Sequence, residues 1–359
     1  MSKTEPITAA NVTSAARRKL ADIAKADLSW KKALAKYQIP ELRLGIGQLF
    51  TGPLPYVAMW FVTYFAYKVH WLLAIPCIVL AAGFYLRLFI VFHDCTHGSY
   101  FKSRRANEIL GFWTGVLAFT PFHQWRQQHA IHHATTGDLD RRGFGDIWTM
   151  TIDEYNASSA WKKLAYRVSR NPAVFLLFGP LLVFIVQYRF PDRRLGKRER
   201  RSVHQTNLAI LGILVLAHFT IGLKAYLMVQ LPIFLFGGAV GVWLFYVQHQ
   251  FEDTAWARRE QWDYLEGALQ GSSFYKLPRI LQWFSGNIGF HHIHHLNPRI
   301  PNYFLEKCHK AHPLFQQAPK ITLFSSLKSA FLHLWDEREG KLVSFRRARR
   351  LTRERKAAA

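Results

Sequence analysis

Four apolar runs, Leu49 to Tyr67, Trp71 to Phe92, Leu208 to Leu223 and Tyr226 to Val247, leave this chain few folds to choose from. Each approaches the ~20 apolar residues that carry a helix across a bilayer. Short links join them in pairs, YKVHW after the first run and a link at Lys224 before the last. Two helices joined so closely form a hairpin, and a hairpin returns its second helix to the side where the first began. At those two returning ends stand His93 and His97, in HDCTH, and His249, in QHQFED. The expected fold is an all-α integral membrane protein. Four transmembrane helices in two hairpins would lie beneath a cytosolic helical cap made from residues 93 to 205 and 248 to 359.

Two further histidine clusters fall inside that cap: His129, His132 and His133 in HAIHH, and His291, His294 and His295 in HHIHH. On a helix, residues at i, i+3 and i+4 share one face, so each cluster aims its imidazoles in one direction. His292 points off that face and is set aside. If all nine histidines meet at one membrane surface, the number of crossings between His133 and His249 is even, and Ala173 to Tyr188 does not span. Its own sequence agrees, because Gly179 and Pro180 interrupt it and Arg167, Arg170, Arg189, Arg193 and Arg194 flank it. An interfacial or re-entrant helix is expected there. Ile109 to Phe122 reads as a second such element, tucked under the first hairpin.

No apolar signal stretch precedes residue 45, and Arg17, Arg18, Lys19, Lys31, Lys32, Lys36 and Arg43 hold the N-terminal tail on the positive side. The expected location is the cytoplasmic (inner) membrane of a bacterium, with the site and both termini cytosolic. The domains read as a tail over 1–44 carrying an amphipathic helix, a membrane domain over 45–335 and a basic tail over 336–359. The net charge of +24 sits beside apolar runs without a nucleic-acid motif, which favours anionic headgroups and an acidic protein partner over nucleic acid. The Arg-dense stretch from Arg346 to Lys356 is expected on the membrane surface or disordered. Cys77, Cys95 and Cys308 give no disulfide framework and read as free thiols.

Imidazoles without thiolate or carboxylate neighbours suit iron, zinc or copper. Nine are too many for one ion, whereas two ions with four to five each would use them all and keep positions open for oxygen chemistry. A pair of irons is the sharper reading. Neither a strand-rich segment nor an internal repeat is evident, and GIGQLFTG at Gly45 follows no strand, so no nicotinamide or flavin site is expected. A metalloprotease would need Glu where HDCTH has Asp94, and a metal transporter would carry its ligands in mid-membrane.

HDCTH, HAIHH and HHIHH, with the flanking texts WRQQHAIHHATTG, QHQFEDT and GFHHIHHLNPRIPNY, resemble the three histidine boxes of the membrane fatty acid desaturase family over roughly residues 45 to 335. The resemblance implies a di-iron enzyme that uses O2 and two external electrons to place a cis double bond in an acyl chain. Carried over, its ligands are His93, His97, His129, His132, His133, His249, His291, His294 and His295. The first box is one residue shorter than in acyl-CoA desaturases. His291 stands where front-end desaturases have Gln, and their fused HPGG domain is missing. The chain is therefore most similar to acyl-lipid desaturases of the Δ12 and ω3 type and their bacterial relatives, and electrons would come from a separate carrier, such as an acidic ferredoxin on the basic face. Alkane hydroxylases and carotenoid ketolases or hydroxylases share the ligands and stand as the alternative reaction.

Asp94, Asp138, Asp146, Glu252 and Asp253 are candidates to orient ligand imidazoles. Trp125, Trp148, Phe122 and Phe290 could line an acyl tunnel, although packing is the plainer expectation. His123 is at best peripheral, His218 reads as a packed residue, and KCHKAH, with Cys308, His309 and His312, lacks a fourth zinc ligand. Arg87, near the end of its span, is expected to snorkel to headgroups.

Overall fold

A computed structural model describes residue 22 and residues 26–143 and 145–358. The basic residues Arg17, Arg18 and Lys19 of the N-terminal tail lie outside the described residues. Among the described residues, three helices are long and apolar enough to cross a membrane: Trp71–His97, Lys197–Thr220 and Leu223–His249. The first leg of the expected first hairpin is shorter. Gly52 breaks it, so that Leu42–Thr51 forms one helix and Pro53–Val69, with 17 residues, another. Pro53 suits a first helical turn, where its missing N–H is no loss. At 1.5 Å per residue that helix is about 26 Å long, just under the ~30 Å hydrocarbon thickness.

Hairpin packing follows the sequence. Pro53–Val69 lies along Trp71–His97, which in turn packs on Leu223–His249. Their shared core holds Tyr56, Trp60, Tyr85, Ile233 and Phe234. Tyr56 Oη and Trp60 Nε1 both donate to Gln230 Oε1, at 2.9 and 3.0 Å, so the polar tips are satisfied within the apolar layer. The second hairpin turns at Ile221 and Gly222, two residues before the expected link, because Gly222 supplies the positive φ of +85° that the tight turn requires.

Both return helices run further than the apolar pattern. Trp71–His97 continues through HDCTH and is ended by Gly98 in the left-handed conformation; Leu223–His249 ends on its histidine. Between them, Arg104–Leu117 packs on the second helix of the first hairpin, close enough that a Cβ on Gly111 would lie 3.0 Å from Cys95 Cβ. Phe122–Thr135 carries HAIHH.

The segment over 172–189 is not one spanning helix. Pro172–Leu177 is a short α-helix, Leu181–Val186 is wound more loosely, and Gln187–Arg189 is a tighter turn, with Gly179 and Pro180 at the break. It lies against the second hairpin, where Phe175 stacks on Tyr246 at 4.5 Å.

Two departures concern the cap. Among the described residues are five strands of two or three residues: β1 (Met150–Thr151), β2 (Phe274–Lys276), β3 (Lys320–Thr322), β4 (Leu334–Asp336) and β5 (Lys341–Val343). β1 and β4 pair in parallel, β5 joins β4 antiparallel, and β2 pairs with β3 in parallel. The Arg-dense C-terminus is ordered as the helix Phe345–Ala357, whose Ala348 and Leu351 are buried in a small core with Met150, Ile152 and Tyr166. Arg87 does not snorkel either. It is buried, donating from Nε to the Thr51 carbonyl at 2.8 Å and lying 4.0 Å over the Trp283 ring, because Gly52 lets the chain approach it closely.

Candidate metal centre

All nine histidines converge. Those of the first box come from the last turn of Trp71–His97, those of the second from Phe122–Thr135, and His249 closes its hairpin; the third box forms its own short helix, His291–Leu296. One group joins His93, His97, His129, His133 and His294, and another joins His132, His249 and His295, with the donor atoms of each within 4.8 Å of one another. His291 adjoins the second group: its Nε2 lies 2.9 Å from that of His249 and 3.1 Å from that of His295.

Contacts within the cluster are unlike ordinary histidine packing. The Nε2 atoms of His93 and His129 face each other at 3.0 Å, and those of His129 and His133 at 3.1 Å. For a metal–nitrogen bond of about 2.1 Å, two ligands at right angles on one ion lie about 3.0 Å apart. Meanwhile Nε2 of His97, His132 and His294 is buried without any hydrogen-bond partner. Buried, convergent imidazole nitrogens without a protein partner are costly unless a cation satisfies them. The donor set thus fits metal binding with a preference for nitrogen ligands.

Electrostatics agree. Burial, followed by repulsion from neighbouring imidazoles, holds His129, His133, His291, His294 and His295 well below the usual value of 6.5. They are neutral at physiological pH, the form that ligates. Because these folded-state values are depressed, the unfolded chain binds more protons once the pH falls below about 6.5, and stability drops as pH falls. The metal-free protein is accordingly expected to melt at progressively lower temperature from pH 7 to pH 5, read by thermal unfolding in one detergent. A flat profile would contradict it.

The outer ring was only partly foreseen. Asp94 Oδ1 lies 3.2 Å from His93 Nδ1, while its Oδ2 accepts from Asn302 N and Nδ2 at 2.7 and 2.8 Å. Asn302 is in turn paired with Gln48 through both amide groups, at 2.6 and 3.0 Å. Asp146 meets His132 Nδ1, and the Gly271 carbonyl accepts from His249 Nδ1 at 3.0 Å. The other three acids look elsewhere: Asp138 to Arg141, Asp253 to Lys341, and Glu252 to Leu342 through its carbonyl. Asn302 stands in the third box's own flanking text, which was the available signal for it; nothing in the sequence marks Gly271. Asp146→Asn should lower metal affinity about 10–100-fold without unfolding the chain, as loss of such an orienting group typically does. Metal retained against a chelator series measures this.

Among the aromatics, Trp125 stacks on His129 with ring centres 4.2 Å apart, and Phe245, not singled out in the sequence, packs against both His132 and His249. Phe122 and Phe290 are packing residues, against Phe92 and Phe274. His292 Nε2 is paired with His309 Nδ1 at 3.0 Å, outside the cluster, and His312 caps Leu314 N. His123 lies against Phe122, and His218 is exposed on its helix beside Phe219 instead of packed. All three cysteines are unpaired thiols.

A cavity of about 1030 Å³ leads to this cluster. Its wall includes Tyr85, Phe234 and Gly241 between the hairpins, His93, His129 and His291 at the centre, and Arg142, Trp148 and Lys162 at an exposed end. It is an apolar channel with a polar mouth, passing directly beside the imidazoles.

Comparison with known proteins gives the same answer as the geometry. The family model described as fatty acid desaturase matches residues 69–325. A fatty acid desaturase of Bacillus subtilis (strain 168) is 48% identical over 315 residues, covering 88% of this chain and 90% of that one. An sn-1 acyl-lipid omega-3 desaturase (ferredoxin) of Nostoc sp. (strain 36) is 27% identical over 280 residues, 73% of this chain and 72% of its own. An sn-1 oleoyl-lipid 12-desaturase of Synechocystis sp. is 27% identical over 230 residues, 62% of this chain and 63% of its own. With its histidine boxes folded into one cluster at the ends of long apolar helices, this chain belongs to the fatty acid desaturase family and is an oxidoreductase.

Proposed function

We propose that the chain desaturates the acyl chain of a membrane lipid, forming a cis double bond with two irons, O2 and electrons from a separate ferredoxin-like carrier. The observation that carries this reading is the channel of about 1030 Å³ that runs from between the membrane hairpins past His93, His129 and His291. A methylene chain is the ligand that such a wall suits: long, apolar, and without a group to recognise except at its mouth.

The nine histidines would hold the metal pair as five and four, with His93, His97, His129, His133 and His294 on one ion and His132, His249, His291 and His295 on the other. Bound there, a di-iron centre supplies O2 activation and removal of two hydrogens from adjacent carbons. The protein's part is placement and exclusion. Asp94, Asp146 and the Gly271 carbonyl fix the tautomers of His93, His132 and His249, so each presents Nε2 inward. Trp125 and Phe245 cover the imidazoles with apolar rings and keep water from the reacting carbons. Pro53–Val69 would make the fourth crossing, with both termini, the cap and the centre on the cytosolic side.

Names of the relatives support the lipid-linked substrate and the ferredoxin donor. The test is expression in a bacterial host without polyunsaturated lipids, with mass spectrometric location of new double bonds. New double bonds in phospholipid acyl chains, with iron in the purified protein, are the expected result. Hydroxylated or ketone products instead would assign the alternative chemistry.

A further inference from the structure

The helix Ala160–Ser169 is built the wrong way round for a water-soluble cap. Trp161, Leu164, Ala165 and Val168 share one face by their spacing of i, i+3, i+4 and i+7. That face points outward: Trp161 is 80% exposed, Leu164 50% and Val168 48%. The opposite face is the one in contact with protein, through the buried Tyr166, whose hydroxyl donates to the His333 carbonyl. Lys162 and Arg167 flank the apolar stripe on either side, Arg167 also donating from Nε to Tyr155 Oη at 2.6 Å and lying 5.3 Å over the Phe345 ring, and the helix carries no acid. An exposed stripe of this kind, bordered by cations and led by Trp, is the pattern of a helix lying in a bilayer's headgroup layer.

Two further observations say what covers it. Exposed apolar side chains recur in the next segment, at Leu177, Phe178, Leu182 and Val186, and that segment packs on Leu223–His249 at Tyr246, one turn before the helix ends. The stripe is therefore followed in the chain by a second exposed apolar stretch, whose Phe175 stacks on Tyr246 three residues before His249. Its two bordering cations match anionic headgroups and would be poorly placed in a protein–protein core.

We propose that Ala160–Ser169 is a membrane-surface anchor, with Trp161, Leu164 and Val168 in the acyl boundary and Lys162 and Arg167 among anionic lipid phosphates. Lys162 and Ser169 also stand in the wall of the large cavity. The anchor thus sets the cavity mouth at headgroup depth, so that an acyl chain enters from the cytosolic leaflet and its polar head stays beside the helix. This last consequence rests on the desaturase reading; the anchor itself does not.

The experiment reads depth and not turnover, so its failure is separate from any failure of the proposed reaction. Full-length protein carrying Cys77→Ser is labelled with a nitroxide at Leu164→Cys or, as a second site on the same face, Val168→Cys; Cys95 and Cys308 are buried. Gln261→Cys, on an exposed loop, is the water-facing control. In nanodiscs containing phosphatidylglycerol, the ratio of collisions with oxygen to those with a water-soluble nickel chelate is expected to be several-fold higher at 164 and 168 than at 261. Ratios equal to that at 261 would place the stripe in water and overturn the proposal. Shielding from both oxygen and nickel would place it against protein, which overturns it equally. Replacing phosphatidylglycerol with a neutral lipid is expected to raise nickel access at 164, and no change would remove the anionic headgroups from the assignment.

Discussion

His132→Ala should abolish desaturation while leaving the protein in the membrane. Orienting partners outside the ligand shell typically account for about 10–100-fold, so removal of a ligand itself should cost at least roughly a hundredfold. His132 is the demanding choice because it belongs to the smaller group, with His249 and His295, and its Nε2 is one of the buried nitrogens that no protein group satisfies. If it were a packed core histidine, its loss would leave a small cavity beside Phe245 and a mild stability change, with metal content untouched. Iron per chain and conversion of acyl chains in the same membranes separate the two. A variant with full activity would dissolve the nine-ligand cage, whereas a drop in iron together with activity supports it.

The second large effect is expected at Gly241→Leu. Gly241 faces the cavity, and a Cβ added there would meet nothing closer than Leu86 Cδ1 at 3.8 Å, so the new side chain enters open space. Neighbouring glycines differ: at Gly237 a Cβ would lie 2.8 Å from the Tyr85 ring, where substitution would disturb the hairpin itself. Eight residues before His249, Gly241 stands about 12 Å along the helix from the metal-proximal end. Crowding an acyl chain there should raise the barrier by about 1–3 kcal/mol, which is roughly 10–100-fold in kcat/KM for long chains. Iron content and thermal stability should hold, and shorter chains should be less affected. Equal loss for all chain lengths would indicate that the acyl chain does not pass this point.

How far the sequence anticipates this architecture depends on the kind of signal each part carries. Apolar runs and histidine spacing are local and periodic, so the hairpins, the three boxes and the break at Gly179 and Pro180 are all legible. His292 is legible for the same reason, since helical phase alone turns it away from its neighbours. What is not legible is long-range and aperiodic. β1 and β4 are two and three residues long and bring Met150 beside Leu334, a pairing with no alternation to reveal it. The Gly271 carbonyl beneath His249 belongs to backbone, which composition never marks. Exposure is equally hidden: Trp161, Leu164 and Val168 have the spacing of a core-facing stripe, and only the position of Tyr166 shows which face is inside.

The link from Gln48 through Asn302 to Asp94 joins the helix Leu42–Thr51 to the segment after the third box, across 254 and 208 residues of chain. Its consequence lies in biosynthesis. Contacts separated by that much chain form only once residue 302 has been synthesised, and a shorter nascent chain lacks the Asn302 amide that holds Asp94 beside His93. A product truncated before residue 302 is accordingly expected to hold the His93 ring more loosely than the full chain does.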